Sequence, residues 1–140
     1  MPTANVNIFA VLVAAVLTFV LGAFWYSPVL FARQWMQAQG YTPEKLAEMK
    51  QKKGLTRAYV GSALCYLVMA YVVALFAAYT NSTTLAQGLW LGLLAWLGFA
   101  APIGLTANLF SEKPLAAWVI DAGYQFAYLV IMGVLLSVWR

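Results

Sequence analysis

Four long apolar stretches dominate this chain and decide what it can become. They run over about residues 6–26, 58–79, 85–110 and 115–139, and of the eight basic and four acidic residues only Asp121 lies inside one of them. Each is long enough to supply the about 20 helical residues that cross the hydrocarbon core of a bilayer. Hydrophobic residues make up 64% of the sequence and charged residues 9%, against roughly 25% charged in an ordinary soluble domain. A soluble fold of this length buries only about two-thirds of its unfolded surface, so a chain this apolar would expose large greasy patches in water. Lipid removes that conflict. The expected fold is all-α: an integral membrane four-helix bundle, one membrane domain over residues 1–140, with a loop over 28–57 that carries an interfacial helix between spans one and two. No length remains for a soluble catalytic domain.

Charge sets the expected orientation. The net charge of +4 does not point to nucleic acid, because six of the eight basic residues lie between Arg33 and Arg57. With Lys113 between spans three and four, the positive-inside rule places both loops in the cytoplasm and both termini outside. The first apolar run has no Lys or Arg ahead of it and is too long for the core of a typical signal peptide, so it reads as a retained span. Ser27-Pro28 predicts the start of a surface helix that buries Phe31 and Trp35 on one side, turns Arg33, Gln34 and Gln37 away and ends at Gly40. Thr42-Pro43 predicts a second start, with a charged helix over Glu44 to Lys53 closed by Gly54. Anionic lipid would attract Lys45, Lys50, Lys52 and Lys53 by about 1 kcal/mol each near the surface. The short uncharged connector Asn81 to Thr84 predicts spans two and three as antiparallel neighbours; its Asn81-Ser82-Thr83 triplet lies too close to the bilayer to be a good glycosylation acceptor.

Helix contacts in lipid are made where small side chains let backbones approach. Ala10, Ala14, Thr18 and Gly22 form such a stripe on span one, Gly88 and Gly92 on span three, and Gly133 and Ser137 on span four. These faces suggest a homo-oligomer. Pro102 has no N–H to donate, so a kink is expected there, with a carbonyl freed one turn earlier near Gly98.

Polar chemistry is scarce. The chain has no His, and the lone Cys65 sits inside an apolar run, where it reads as a packing residue. There is no nucleophile beside a base, no paired intramembrane carboxylate and no metal-ligand cluster, so catalysis, metal and cofactor are not expected. Asp121 stands out, since an acid at mid-span costs about 2.5 to 3.5 kcal/mol to insert and should face a partner or water. Tyr124, Gln125 and Tyr128 share its helix face. Asn108 on span three and Trp25 and Tyr26 on span one lie at a similar depth. Two readings follow: a polar pocket open to the cytoplasm for a cation, a proton or a headgroup, or a structural contact in which Asp121 pairs with Arg33 or Arg57 or bonds Tyr26. The first makes the chain a binder or conductor of a small polar ligand or ion; the second makes it a structural or accessory protein with no ligand.

One string carries a resemblance. Gly22-Ala23-Phe24-Trp25-Tyr26-Ser27-Pro28-Val29-Leu30-Phe31, followed by Trp35, resembles the signature of an uncharacterised bacterial membrane family catalogued as domain of unknown function 1761. The Gly123-Tyr124 pair is similar to the family's pattern as well. Family members often have glycine where this chain has Ala32, a departure that bears on local backbone approach. The resemblance implies a four-span protein of this size in a bacterial inner membrane and supplies no activity, cofactor or substrate. The string also has a physical logic of its own. Gly22 permits close helix approach, Trp25 and Tyr26 suit an interface, and Ser27-Pro28 turns the chain.

Overall fold

The computed structural model describes residues 4–52 and 54–140 and is helical throughout its regular parts. The first apolar run forms α1 (Ile8–Trp25), started by Asn7, whose side-chain oxygen accepts from the Phe9 and Ala10 amides. Two short helices follow, α2 (Ala32–Gln39) and α3 (Pro43–Gln51). Gly40 ends α2 in the left-handed conformation at φ 72°, and the Thr42 hydroxyl caps α3 by accepting from the Lys45 amide. The second run is α4 (Gly54–Tyr79). The third is α5 (Leu85–Ala95), a single wide turn over Trp96–Ala100, and α6 (Ala101–Phe110); the fourth is α7 (Leu115–Val138). Thr84 and Gln87 form a reciprocal capping box at the start of α5. Four helical segments, with α5 and α6 taken as one, are thus long and apolar enough to cross a membrane.

Two local expectations are corrected and a third takes a definite form. Ser27-Pro28 opens a turn, not a helix: the Ser27 carbonyl takes both the Leu30 and Ala32 amides and the Trp25 carbonyl takes that of Phe31. The turn is held by Phe31 folding back on the Trp25 ring, 4.9 Å between centroids, so α2 begins only at Ala32. Gly54 does not close α3; it begins α4, one turn earlier than the apolar pattern places the second span. Ahead of Pro102, the irregularity expected there takes the form of one wide turn. The Ala101 amide reaches back five residues to the Trp96 carbonyl. That lost bond leaves Leu97 without its usual amide, and Pro102 has no N–H to replace it.

The core forms around α7, on which α1, α4, α5 and α6 all pack. The closest approach is that of α5. A Cβ built on Gly88 would stand 2.6 Å from the Gly133 carbonyl oxygen, and one on Gly92 would stand 2.5 Å from that of Leu129. The connector after α4 reverses the chain as expected, yet α5 leaves α4 almost at once and lies along α7, because the glycines of α5 and α7 fit each other backbone to backbone. Ala10, Ala14 and Thr18 are buried inside the chain, and Gly22 faces Tyr124. The small-residue faces are therefore filled from within. Outside them the helices carry exposed Phe9, Val16, Val68, Phe99 and Ile103, an apolar surface suited to lipid.

Candidate functional site

Asp121 lies in the first half of α7, partly buried, and its Oδ1 collects two hydrogen bonds. The Tyr26 hydroxyl donates at 2.6 Å and the Trp35 indole N–H at 2.9 Å. Tyr26 sits just past the end of α1, and Trp35 on α2 reaches the same oxygen because the turn at Ser27–Phe31 folds α2 across the end of the bundle. The two rings meet edge to face at 5.4 Å. No described residue donates to Oδ2. Neither Arg33 nor Arg57 pairs with Asp121; the ion pair among the described residues is Lys52 with Glu48. Of the structural partners weighed from sequence, Tyr26 is the one present.

Aromatic side chains extend the site into the bundle. Tyr26 packs edge to face on Tyr124 at 5.3 Å, and Tyr124 on Tyr128 at 4.9 Å, with Tyr66 of α4 against both. The Tyr124 hydroxyl donates to the Thr18 carbonyl at 2.8 Å, and Tyr128 points its hydroxyl at the Met69 sulfur at 3.7 Å. Trp25 does not touch the carboxylate. Its indole N–H donates to the Ile120 carbonyl at 3.0 Å, and its ring would meet a Cβ on Gly123 at 3.1 Å. Two further indoles bond main-chain carbonyls, Trp96 to Ala122 at 2.8 Å and Trp118 to Ala101 at 3.1 Å. Each joins the segment around Pro102 to α7.

The other two candidates stand apart. Asn108 is buried on α6, where its amide donates to the Pro114 carbonyl at 3.3 Å and its own carbonyl accepts from the Lys113 amide; it braces the turn into α7. Its side-chain oxygen is buried without a partner. Gln125 turns toward α6, its Oε1 3.8 Å from a Cβ built on Gly104 and likewise unpartnered. The structure thus gathers Asp121, Tyr26 and Tyr124, places Trp25 beside them, and sets Asn108 and Gln125 toward α6. Sequence reasoning missed Trp35, which it assigned to a membrane-surface face; the signal was available in the string that links Trp35 to Tyr26. Of the four lysines considered for lipid, Lys45 lies 5.2 Å over the Tyr41 ring, Lys52 pairs with Glu48, Lys50 is exposed on α3, and Lys53 falls outside the described residues.

What these features define is a class: small all-α proteins of four membrane-length apolar helices, with a carboxylate on the central helix held by aromatic donors from the first helix and the one that follows it. The chain belongs to the family described as "Protein of unknown function (DUF1761)", whose model matches residues 9–137, nearly the whole sequence. No curated protein and no solved structure matches it.

Proposed function

We propose that this is a multi-pass protein of the bacterial cytoplasmic membrane that binds, or conducts, a small cation or other polar ligand at Asp121. The observation that carries the reading is the state of the carboxylate: both donors are neutral, both reach Oδ1, and no cation among the described residues stands against its charge. A carboxylate on a membrane helix calls for compensation, and Oδ2 is the atom left to accept a cation or a donor. Tyr26 and Trp35 would orient the group and hold it against α1 and α2. The basic loop and Lys113 support a cytoplasmic location for this end, with α2 at the membrane surface and both termini outside. Any self-association would use the exposed apolar faces, since the small-residue faces are filled. Lys50 is the lysine best placed to meet anionic lipid.

A second reading has its own support. The same two hydrogen bonds tie α1, α2 and α7 together, which is what a packing clamp with no ligand would do, in a protein that associates with itself or a partner. Asp121→Asn separates the two. Its side-chain oxygen still accepts from Tyr26 and Trp35, while the charge is gone. The purified protein in detergent, warmed with a panel of inorganic and organic cations, should show a raised unfolding midpoint for wild type that Asp121→Asn lacks. Equal response of the two proteins across the panel would leave the clamp.

A further inference from the structure

We propose that the half of α4 nearest α3 is a seat for one anionic phospholipid, with the phosphate on Arg57 and an acyl chain laid along Gly61 and Cys65. This rests on the membrane reading above and not on Asp121. One open face of α4 carries Arg57, Ala58, Gly61, Ser62, Cys65 and Tyr66. These positions recur every three or four residues, so they form one stripe, about 14 Å long from Arg57 to Tyr66. Its chemistry changes along its length. At one end Arg57 is exposed and makes no hydrogen bond or ion pair with a described residue. At the other, Tyr66 packs on Tyr124 and Tyr128.

Gly61 leaves the middle of this face without a side chain. A Cβ there would meet no heavy atom within 4 Å, in contrast to Gly22, Gly88 and Gly92, where it would strike a neighbouring helix. No helix approach explains this glycine, and Cys65, one turn on, is exposed as well. An uncovered apolar helix face headed by one guanidinium matches a molecule that is anionic at one end and a flexible hydrocarbon at the other. Guanidinium binds phosphate through paired N–H donors, and the preceding α3, with two Glu and two Lys, leaves Arg57 as the cation at this end of the face. A free phosphate would use only Arg57. A second copy packed face to face on this stripe would set Arg57 against Arg57, because a two-fold axis along the membrane normal keeps equal depths opposed.

The test uses the whole chain in detergent and its single cysteine. Cys65 is alkylated with a small maleimide in the presence of phosphatidylglycerol, of phosphatidylethanolamine with identical chains, or of inorganic phosphate, and retained lipid is counted by native mass spectrometry. Phosphatidylglycerol should slow the alkylation and be retained about fivefold in preference to phosphatidylethanolamine, the factor that about one basic contact supplies near a surface. Inorganic phosphate should do neither. Arg57→Gln should remove the preference, and Gly61→Leu, which puts a side chain in the acyl chain's place and keeps Arg57, should remove both protection and retention. Equal effects of the two lipids, protection by phosphate alone, or a preference that survives Gly61→Leu would each overturn the proposal. Quenching of tryptophan by brominated lipids in vesicles tests residence in the bilayer separately; a chain quenched by both lipids but without preference fails this proposal and not the membrane reading.

Discussion

A Cβ on Gly22 would stand 2.7 Å from the Tyr124 hydroxyl and 3.2 Å from the ring carbon that bears it. That hydroxyl cannot swing away without leaving the Thr18 carbonyl, so glycine and tyrosine are matched across the α1 and α7 contact. Gly22→Ala should destabilise the purified protein by about 1–3 kcal/mol, the range for overpacking a fitted contact. In a Tyr124→Phe background, where the obstructing oxygen is gone, the same change should cost about half as much, a coupling that a double-mutant cycle in detergent unfolding would read out. Additive effects would mean that the two residues do not meet. This pairing was half legible in the sequence. The string around Gly22 and the Gly123-Tyr124 pair both drew notice, and Asp121 with Tyr26 was among the contacts weighed. What the pattern could not supply was direction. Trp35 has the spacing of a surface-helix anchor, and only the turn at Ser27–Phe31, which depends on Phe31 meeting Trp25, brings its indole to Asp121. Gln125 shares a helix face with Asp121 but lies 40° around the axis at 100° per residue, enough to aim it at Gly104.

At the scale of helices, the glycine spacing in α5 correctly marked a close crossing and said nothing about the partner. Gly88 and Gly92 read equally well as a dimer face. The structure gives them to Gly133 and its neighbours within the same chain, where a Cβ at Gly92 would lie 2.5 Å from the Leu129 carbonyl oxygen and 2.6 Å from the Val130 Cα. Both obstacles are backbone, so no rotamer change can relieve them and the helices must separate. Gly92→Ala should therefore cost more than Gly22→Ala, at or beyond the upper end of the about 1–3 kcal/mol expected for overpacking. The measurement is the unfolding midpoint at a protein concentration low enough that any oligomer has dissociated. A variant that keeps the wild-type midpoint and loses only self-association would place the glycine face on the outside. The region before Pro102 follows the same logic: a proline announces that the regular ladder will fail, but whether it fails as a bend or a wide turn depends on neighbours. Here Trp96 and Trp118 each bond across to α7 or from it, fixing the helix on both sides of the irregular turn.

Across the whole molecule, the four spans differ in how well they suit lipid, and that difference explains which one is central. α7 carries Asp121, Tyr124, Gln125 and Tyr128, more polar atoms than hydrocarbon accepts, and its central place gives partners to the Tyr124 and Tyr128 hydroxyls and to one oxygen of Asp121. The arrangement also sorts charge by end. α2, α3 and the Lys113 turn lie together, with Lys113 donating to Gln39, whereas the opposite end holds the uncharged 80–84 connector and Arg140, which bonds the Ala77 carbonyl at the close of α4. The 26 residues of α4 separate the two ends by about 39 Å, more than the hydrocarbon thickness of about 30 Å. If the basic end faces the cytoplasm, an impermeant maleimide applied to intact cells should label Thr83→Cys and spare Ala47→Cys, both in a Cys65→Ser background, and should reach Ala47→Cys only after the membrane is opened. Both positions are exposed and neither replacement removes a charge, so folding and the basic signal stay intact. The reverse pattern would invert the topology and move the Asp121 site to the outer side. Labelling of both in intact cells would separate these ends from any membrane between them.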